Sequence, residues 1–217
     1  TCEDPVEYRL DGITQIETHA KIGLTFSKAL RSVLRQDPDI VLIGEIRDEE
    51  TADIAIKFSL TGHLVFSTLH ANDAPSTVTR MLDIGIAPYL VASSLNLVMA
   101  QRLVRKICSN CIADYKPTEE ELEKLGISHD EAKDIHFRKG VGCVHCDNTG
   151  YAGRSGIFEM LEVTADIRKL IFDGQNQDVI RDAALKNGMQ SLHDAAILKM
   201  KQGITSVNEV IKFTITD

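Results

Sequence analysis

A chain of 217 residues with 43% apolar side chains can bury a sizeable core, as one large domain or as a domain with a small module. Its 24 basic against 32 acidic residues give a formal charge of -8 with no basic block to grip a phosphate backbone, which sets nucleic acid aside as the main partner. The longest apolar runs, such as Ile40 to Ile43 and Tyr89 to Val91, fall far short of the roughly 20 residues that span a bilayer, and the N-terminus carries no signal-peptide pattern, so a soluble, intracellular body is expected.

Taken in order, Thr1 to Glu7 opens abruptly on acids and a proline and reads as the middle of a longer pattern. Thr25 can cap a helix whose Phe26, Ala29, Leu30, Val33 and Leu34 fall on one face and which ends before Pro38. Ile40 to Ile43, flanked by Asp-Pro-Asp and Gly44, predicts a short parallel strand buried on both faces. Asp48 then starts a second helix through Ala52, Ala55, Ile56, Ser59 and Leu60, stopped by Gly62, and Leu64 to Leu69 is the next strand. Alternating strand and helix argue for an α/β layer with a mostly parallel sheet, in which ligands gather at the carboxyl ends of the strands. After Arg102 charged and Gly-rich segments carry the cysteines, and Arg154 to Glu162 returns as a strand, so residues 105–153 read as an inserted module between a core of 1–104 and a returning strand with a helical subdomain, 154–217. In that last part, caps are predicted at Thr164, Ser191 and Thr205 and breaks at Gly174, Gly188 and Gly203.

Asp39-Ile-Val-Leu-Ile-Gly-Glu45-Ile-Arg47-Asp48 sets an apolar strand directly before a carboxylate. A buried strand can hold Glu45 where it orients a metal-bound water or accepts its proton, with Gly44 leaving room for phosphate; the plainer reading is an acid that caps the next helix. Context adds Thr1-Cys-Glu3-Asp4-Pro5-Val6-Glu7 upstream and Thr61-Gly62-His63 to Thr68-Leu-His70-Ala-Asn72-Asp73 downstream. Together these resemble the Asp box, Walker B box and His box of the secretion ATPase family, the hexameric motors of type II secretion and type IV pilus assembly, and the likeness spans essentially the whole chain.

The resemblance implies a RecA-like sheet that binds ATP and Mg²⁺. It casts Glu45 as the Walker B glutamate, Glu3 and Glu7 as Asp-box acids, and His70 as the His-box histidine; which of Glu3 and Glu45 is the general base stays open. Arg47, Arg80 and Arg102 are secondary candidates for phosphate or subunit-interface charge, while His63 is expected to be structural. No Gly-x-x-x-x-Gly-Lys-[Ser/Thr] occurs in the chain. In this family that loop lies just upstream of the Asp box, so the chain is expected to begin after it, to carry a truncated sheet with exposed edges, and to hydrolyse little or no ATP alone.

The second signal is Cys108-x-x-Cys111 followed by Cys143-x-x-Cys146. Four thiolates in two knuckles suit a closed, tetrahedral, structural Zn²⁺ site, with Arg105, Lys106 and Lys139 available to offset its charge; a redox pair is the competing reading. His145 is a bystander in this reading, and Cys2 a small buried residue. The tetracysteine element resembles that of the assembly and secretion branch of the family, and Ala71 to Pro75 with Ile86 to Ser94 look closer to the pilus motors. What the resemblance implies is a cytoplasmic homo-hexamer, peripheral at the inner membrane, that turns a membrane platform protein. Two other classes compete: a non-catalytic zinc-containing docking module for that platform protein, and a zinc-dependent nucleic-acid binder, which the acids Glu119, Glu120, Glu121 and Glu123 oppose.

Overall fold

The computed structural model describes residues 1–214. Eight strands and ten α-helices follow one another as β1 (Cys2–Glu3), β2 (Ile16–Glu17), α1 (Phe26–Val33), β3 (Ile40–Ile43), α2 (Glu49–Leu60), β4 (Leu64–Ser67), α3 (Ala74–Asp83), α4 (Pro88–Ser94), β5 (Leu97–Ile107), β6 (Ile112–Asp114), α5 (Glu119–Leu125), α6 (His129–Ala132), β7 (Arg138–Gly140), β8 (Tyr151–Glu162), α7 (Ala165–Phe172), α8 (Gln177–Lys186), α9 (Leu192–Lys201) and α10 (Val207–Thr214). The chain packs as two compact units, one of residues 1–98 with 162–184, the other of 99–161 with 185 onward.

The first unit is built on a parallel four-stranded sheet in the order β2-β1-β3-β4. Its helices start where the sequence supplies a side-chain acceptor: Thr25 Oγ1 takes the Lys28 N–H at 3.4 Å and an Asp48 carboxylate oxygen takes the Thr51 N–H at 2.8 Å. Helix α2 stops at Gly62, whose φ of 96° only glycine adopts freely. The sheet is α/β as predicted, but β3 is not buried on both faces. Val41 and Ile43 are buried while Ile40 and Leu42 are exposed, and their cross-strand partners Leu64 and Phe66 are exposed too. Helices α1 and α2 pack on β1 and β4, and no described residue shields the Ile40–Leu42 face, so period-2 alternation replaces the continuous burial of a sandwiched strand.

In the second unit the composition change at Arg102 does not break the chain: β5 runs straight through it. Cys108 N–H bonds the Gly150 carbonyl beyond one end and Val163 N–H the Asn96 carbonyl beyond the other, so β5 and β8 run antiparallel. The antiparallel pair β6–β7 follows, with the boxed caps Thr118/Glu121 and Ser128/Glu131 starting the two helices between its strands. Val104, Leu122, Leu125, Phe137, Ile157, Met200, Val207 and Val210 form one core, so the cysteine-bearing segment and the terminal helices α9 and α10 stabilise each other. The caps at Thr164 and Ser191 form as read, and Gly174, Gly188 and Gly203 take positive φ at the breaks. Thr205 does not cap α10: its hydroxyl donates to the Arg105 carbonyl at 2.8 Å, and Ser206 accepts the Glu209 N–H at 3.4 Å instead.

Candidate active site and metal centre

Where β3 ends, the chain turns so that Glu45 stands at the carboxyl end of the sheet, with its side chain only 13% exposed. The neighbouring tip at the end of β4 is tied in by the Ile46 N–H to the Thr68 carbonyl at 3.0 Å and by the Thr68 hydroxyl to the Gly44 carbonyl at 2.6 Å. That register brings His70 to Glu45, Nε2 to Oε2 at 3.3 Å, while Arg47 holds the other oxygen at 2.5 Å. The Arg47 hydrogen bond, helped by its charge and by His70 and only partly opposed by burial, keeps the Glu45 carboxyl below its ordinary range and therefore ionised. The His70 side chain is 87% exposed, so a ligand can reach it.

Glu3 ends β1 beside β3. Hydrogen bonds from the Thr1 hydroxyl and from Gln15 Nε2 at 3.0 Å lower its pKa against a smaller desolvation. Glu3, Asp4, Pro5, Glu7, Phe26, Leu42, Gly44 and Glu45 line a cleft of about 260 Å³. Three acids expected at the site, Glu3, Glu7 and Glu45, thus share one opening, and hard carboxylate oxygens on a concave surface suit Mg²⁺. Gly44 lines this cleft and also has a packing role. A Cβ there would meet the Cys2 carbonyl at 3.1 Å and Glu3 Cα at 3.3 Å, so the glycine lets β1 approach β3 and bring the two carboxylates to one edge.

Other candidates stand elsewhere. Arg80 lies exposed in the last turn of α3, and Arg102 lies on β5 in the other compact unit. His63 takes its structural role: Nδ1 lies 3.0 Å from the Phe58 carbonyl and 3.0 Å from the Thr61 hydroxyl, with the ring edge-on to Phe58. Cys2 is fully buried. Two residues had no sequence signal strong enough to single them out: Phe26, which lines the cleft but whose spacing marks it only as a helix core position, and Gln15, which is bonded to Glu3 and lies outside every box.

The second centre lies between the knuckles. Cys108, Cys111, Cys143 and Cys146 bring all four Sγ atoms within 4.8 Å of one another. The separations are 3.9 Å for Cys108–Cys143, 3.8 Å for Cys111–Cys146 and 3.7 Å for Cys143–Cys146. A disulfide would need about 2.05 Å, whereas a tetrahedron with Zn–S of about 2.3 Å has edges of about 3.8 Å. The donor set therefore fits zinc and not a pair of bridges. Each CxxC folds alike, with Cys111 N–H on the Cys108 carbonyl and Cys146 N–H on the Cys143 carbonyl, both at 3.2 Å. Against burial, the N–H groups of Cys143 and Gly150 draw the Cys146 thiol down to about 6, while burial and the adjoining thiols push Cys111 up to about 11. A side chain at Gly140 would collide with the Gly150 carbonyl, which explains the glycines around the knuckles. Two cations expected to offset the thiolates have other partners: Arg105 pairs with the buried Glu209 at 2.6 Å and lies over the Tyr151 ring, and Lys139 lies over Tyr115.

Comparison with known proteins bears on the family. The profile of the family described as "Type II/IV secretion system protein" matches residues 1–212. The chain is 46% identical over 215 residues to the type IV pilus assembly ATPase PilB of Thermus thermophilus, covering 99% of this chain and 24% of that protein. It is also 46% identical over 214 residues to the type II secretion system protein HxcR of Pseudomonas aeruginosa, covering 99% of this chain and 42% of that one, so identity does not separate pilus from secretion relatives. Among solved structures, the pilus retraction motor PilT with bound ADP superposes with a TM-score of 0.67 at 26% identity, over 98% of this chain and 51% of that one. The chain spans less than half the length of these two sequence relatives. With an α/β unit that places acids at its strand ends and a second unit that carries a four-thiol centre, the chain belongs to the type II/IV secretion system protein family.

Proposed function

We propose that these residues form the acid- and histidine-bearing half of a Mg²⁺-dependent ATPase motor that powers type IV pilus assembly or type II secretion. The carrying observation is that Glu45, held by Arg47 and His70, opens on the same cleft as Glu3 and Glu7. Bound Mg²⁺ supplies charge neutralisation for the phosphates. Glu3 and Glu45 divide the work of holding the hydrated ion and orienting the attacking water, and His70, exposed beside Glu45, senses the nucleotide through a hydrogen bond. Arg47, Arg80 and Arg102 serve phosphate or subunit charge. Residues 1–104 act as the motor core, 105–153 as a Zn²⁺ module with a structural ion on the four cysteines, and 154–217 as the returning strand and helices. The assembly is a homo-hexamer at the cytoplasmic side of the inner membrane that turns a platform protein.

The chain lacks a Gly-x-x-x-x-Gly-Lys-[Ser/Thr] cradle, and alone it is expected to hydrolyse little ATP. The test compares it with a protein extended upstream through that loop. Hydrolysis should appear only in the extended form and fall by about 10²-fold or more in Glu45→Gln. Turnover by the 217 residues that Glu45→Ala abolishes would refute the inactivity, and an extended Glu45→Gln protein at full rate would refute the site. A docking role for the cysteine-bearing unit is a second reading, favoured by exposed Met99, Leu103, Phe158 and Met160 on the β5–β8 ribbon. Capture of the platform protein's cytoplasmic domain that is lost in Cys143→Ser would support it, and unchanged capture would not.

A further inference from the structure

One side chain bonded to the cleft acid Glu3 has all its principal hydrogen-bonding capacity committed, and no box of the sequence contains it. Gln15 sits one residue before β2, at the end of the arch that leaves β1 after Glu3 and carries Asp4, Pro5 and Glu7. Its amide nitrogen donates to Glu3 Oε1 at 3.0 Å and to the Tyr8 carbonyl at 2.9 Å, and its amide oxygen accepts the Leu10 N–H at 2.8 Å. A primary amide offers two N–H donors and one carbonyl acceptor, and here each is used. The three partners are a site carboxylate and two points on the arch. β1 and β2 alone leave that arch weakly fixed, being two residues each, with the Val6 N–H to Glu17 at 3.4 Å as a further tie.

We propose that Gln15 is a positioning residue of the cleft: it fixes the Glu3 carboxylate in place and, through Tyr8 and Leu10, holds the arch that carries Glu7 to the cleft it shares with Glu45. The inference rests on the nucleotide-site reading given above. Glutamine suits the task where an acid or a hydrocarbon would not. The donor it turns to Glu3 favours the carboxylate form, while its acceptor serves a backbone N–H that would otherwise be left to solvent. A carboxylate in its place would accept from Leu10 but repel Glu3, and a leucine would do neither. Groups beyond the nucleotide that orient a ligating carboxylate are commonly worth about 10–100-fold in metal affinity or activity, so the effect should be measurable without loss of the fold.

The experiment has two arms. In the 217-residue chain, the Glu3 carboxyl-carbon NMR signal, identified by its loss in Glu3→Gln, is compared at one fixed neutral pH in the unsubstituted protein, in Gln15→Leu and in Gln15→Glu. The Glu3 signal should move in both variants as its contact with the Gln15 amide is lost, with Glu45 unmoved. In the protein extended upstream, the Mg²⁺ concentration giving half-maximal ATP hydrolysis should rise about tenfold in Gln15→Leu. Gln15→Glu keeps the tie to Leu10, so if Gln15→Leu does not fold, the acidic variant carries both measurements. An unmoved Glu3 signal overturns the proposal. So does a moved Glu3 signal with an unchanged Mg²⁺ requirement, which would make Gln15 a tie of the arch alone. Failure of the wider reading looks different, because then Glu45→Gln leaves hydrolysis intact whatever Gln15 does.

Discussion

Glu45 is ionised, nearly buried and gripped on both oxygens, and a carboxylate so stabilised is a weak base. If it accepts a proton during turnover, removing its strongest partner should strengthen it as a base. In the extended protein, Arg47→Gln is therefore expected to move the acid limb of the kcat/KM profile to higher pH, since the Glu45 carboxyl then returns towards its ordinary value. An unmoved limb would assign the general-base role to Glu3. At the other centre, the four sulfurs already stand at tetrahedral spacing, so Cys143→Ser should abolish tight zinc retention measured as metal per chain, while Cys2→Ser, far from the knuckles in sequence and fully buried, should leave it unchanged. Both residue-level sites were legible because each is a short string of chemically distinctive groups. Gln15 was not, since its importance lies in three partners at sequence distances of five to twelve residues, and a lone glutamine in a loop carries no pattern.

Among the elements, helix starts were read best because a cap is a local event: Thr25, Asp48, Thr164 and Ser191 each accept the N–H expected of them. The errors came where tertiary contacts decide. An Ile-Val-Leu-Ile run looks the same whether one face or two are covered, and a Thr-Ser pair before α10 does not reveal that β5 claims the threonine. Helix α3 adds a testable case. Its N-cap Asp73 accepts the Ser76 N–H at 2.8 Å and also pairs with Arg181 at 2.7 Å, joining α3 to α8. Asp73→Ala should destabilise by about 2 kcal/mol, from the lost cap and the lost ion pair with Arg181, read as a lower Tm at neutral pH. Although burial raises the Asp73 pKa, its hydrogen bonds and Arg181 bring it below the ordinary 3.8. Its contribution is therefore complete above that unfolded value and fades as the pH falls through the lower folded one, so the two proteins should converge in stability in strong acid.

At the scale of the molecule, neither compact unit is a continuous stretch of chain: the path passes from one to the other after residues 98, 161 and 184. The first unit needs its late visitor. In α7, Ile167 and Ile171 are fully buried and Arg168 donates to the carbonyls of Ala92, Leu95 and Val163. A chain ending at residue 161 should therefore leave residues 1–98 open to limited proteolysis that the complete chain resists, even though every acid of the cleft is present. A ribosome delivering this sequence cannot finish the parallel-sheet unit when its last strand emerges. That unit must wait, partly formed, through the synthesis of the entire cysteine-bearing segment, with Ile40, Leu42, Leu64 and Phe66 in view of any chaperone that reads apolar surface.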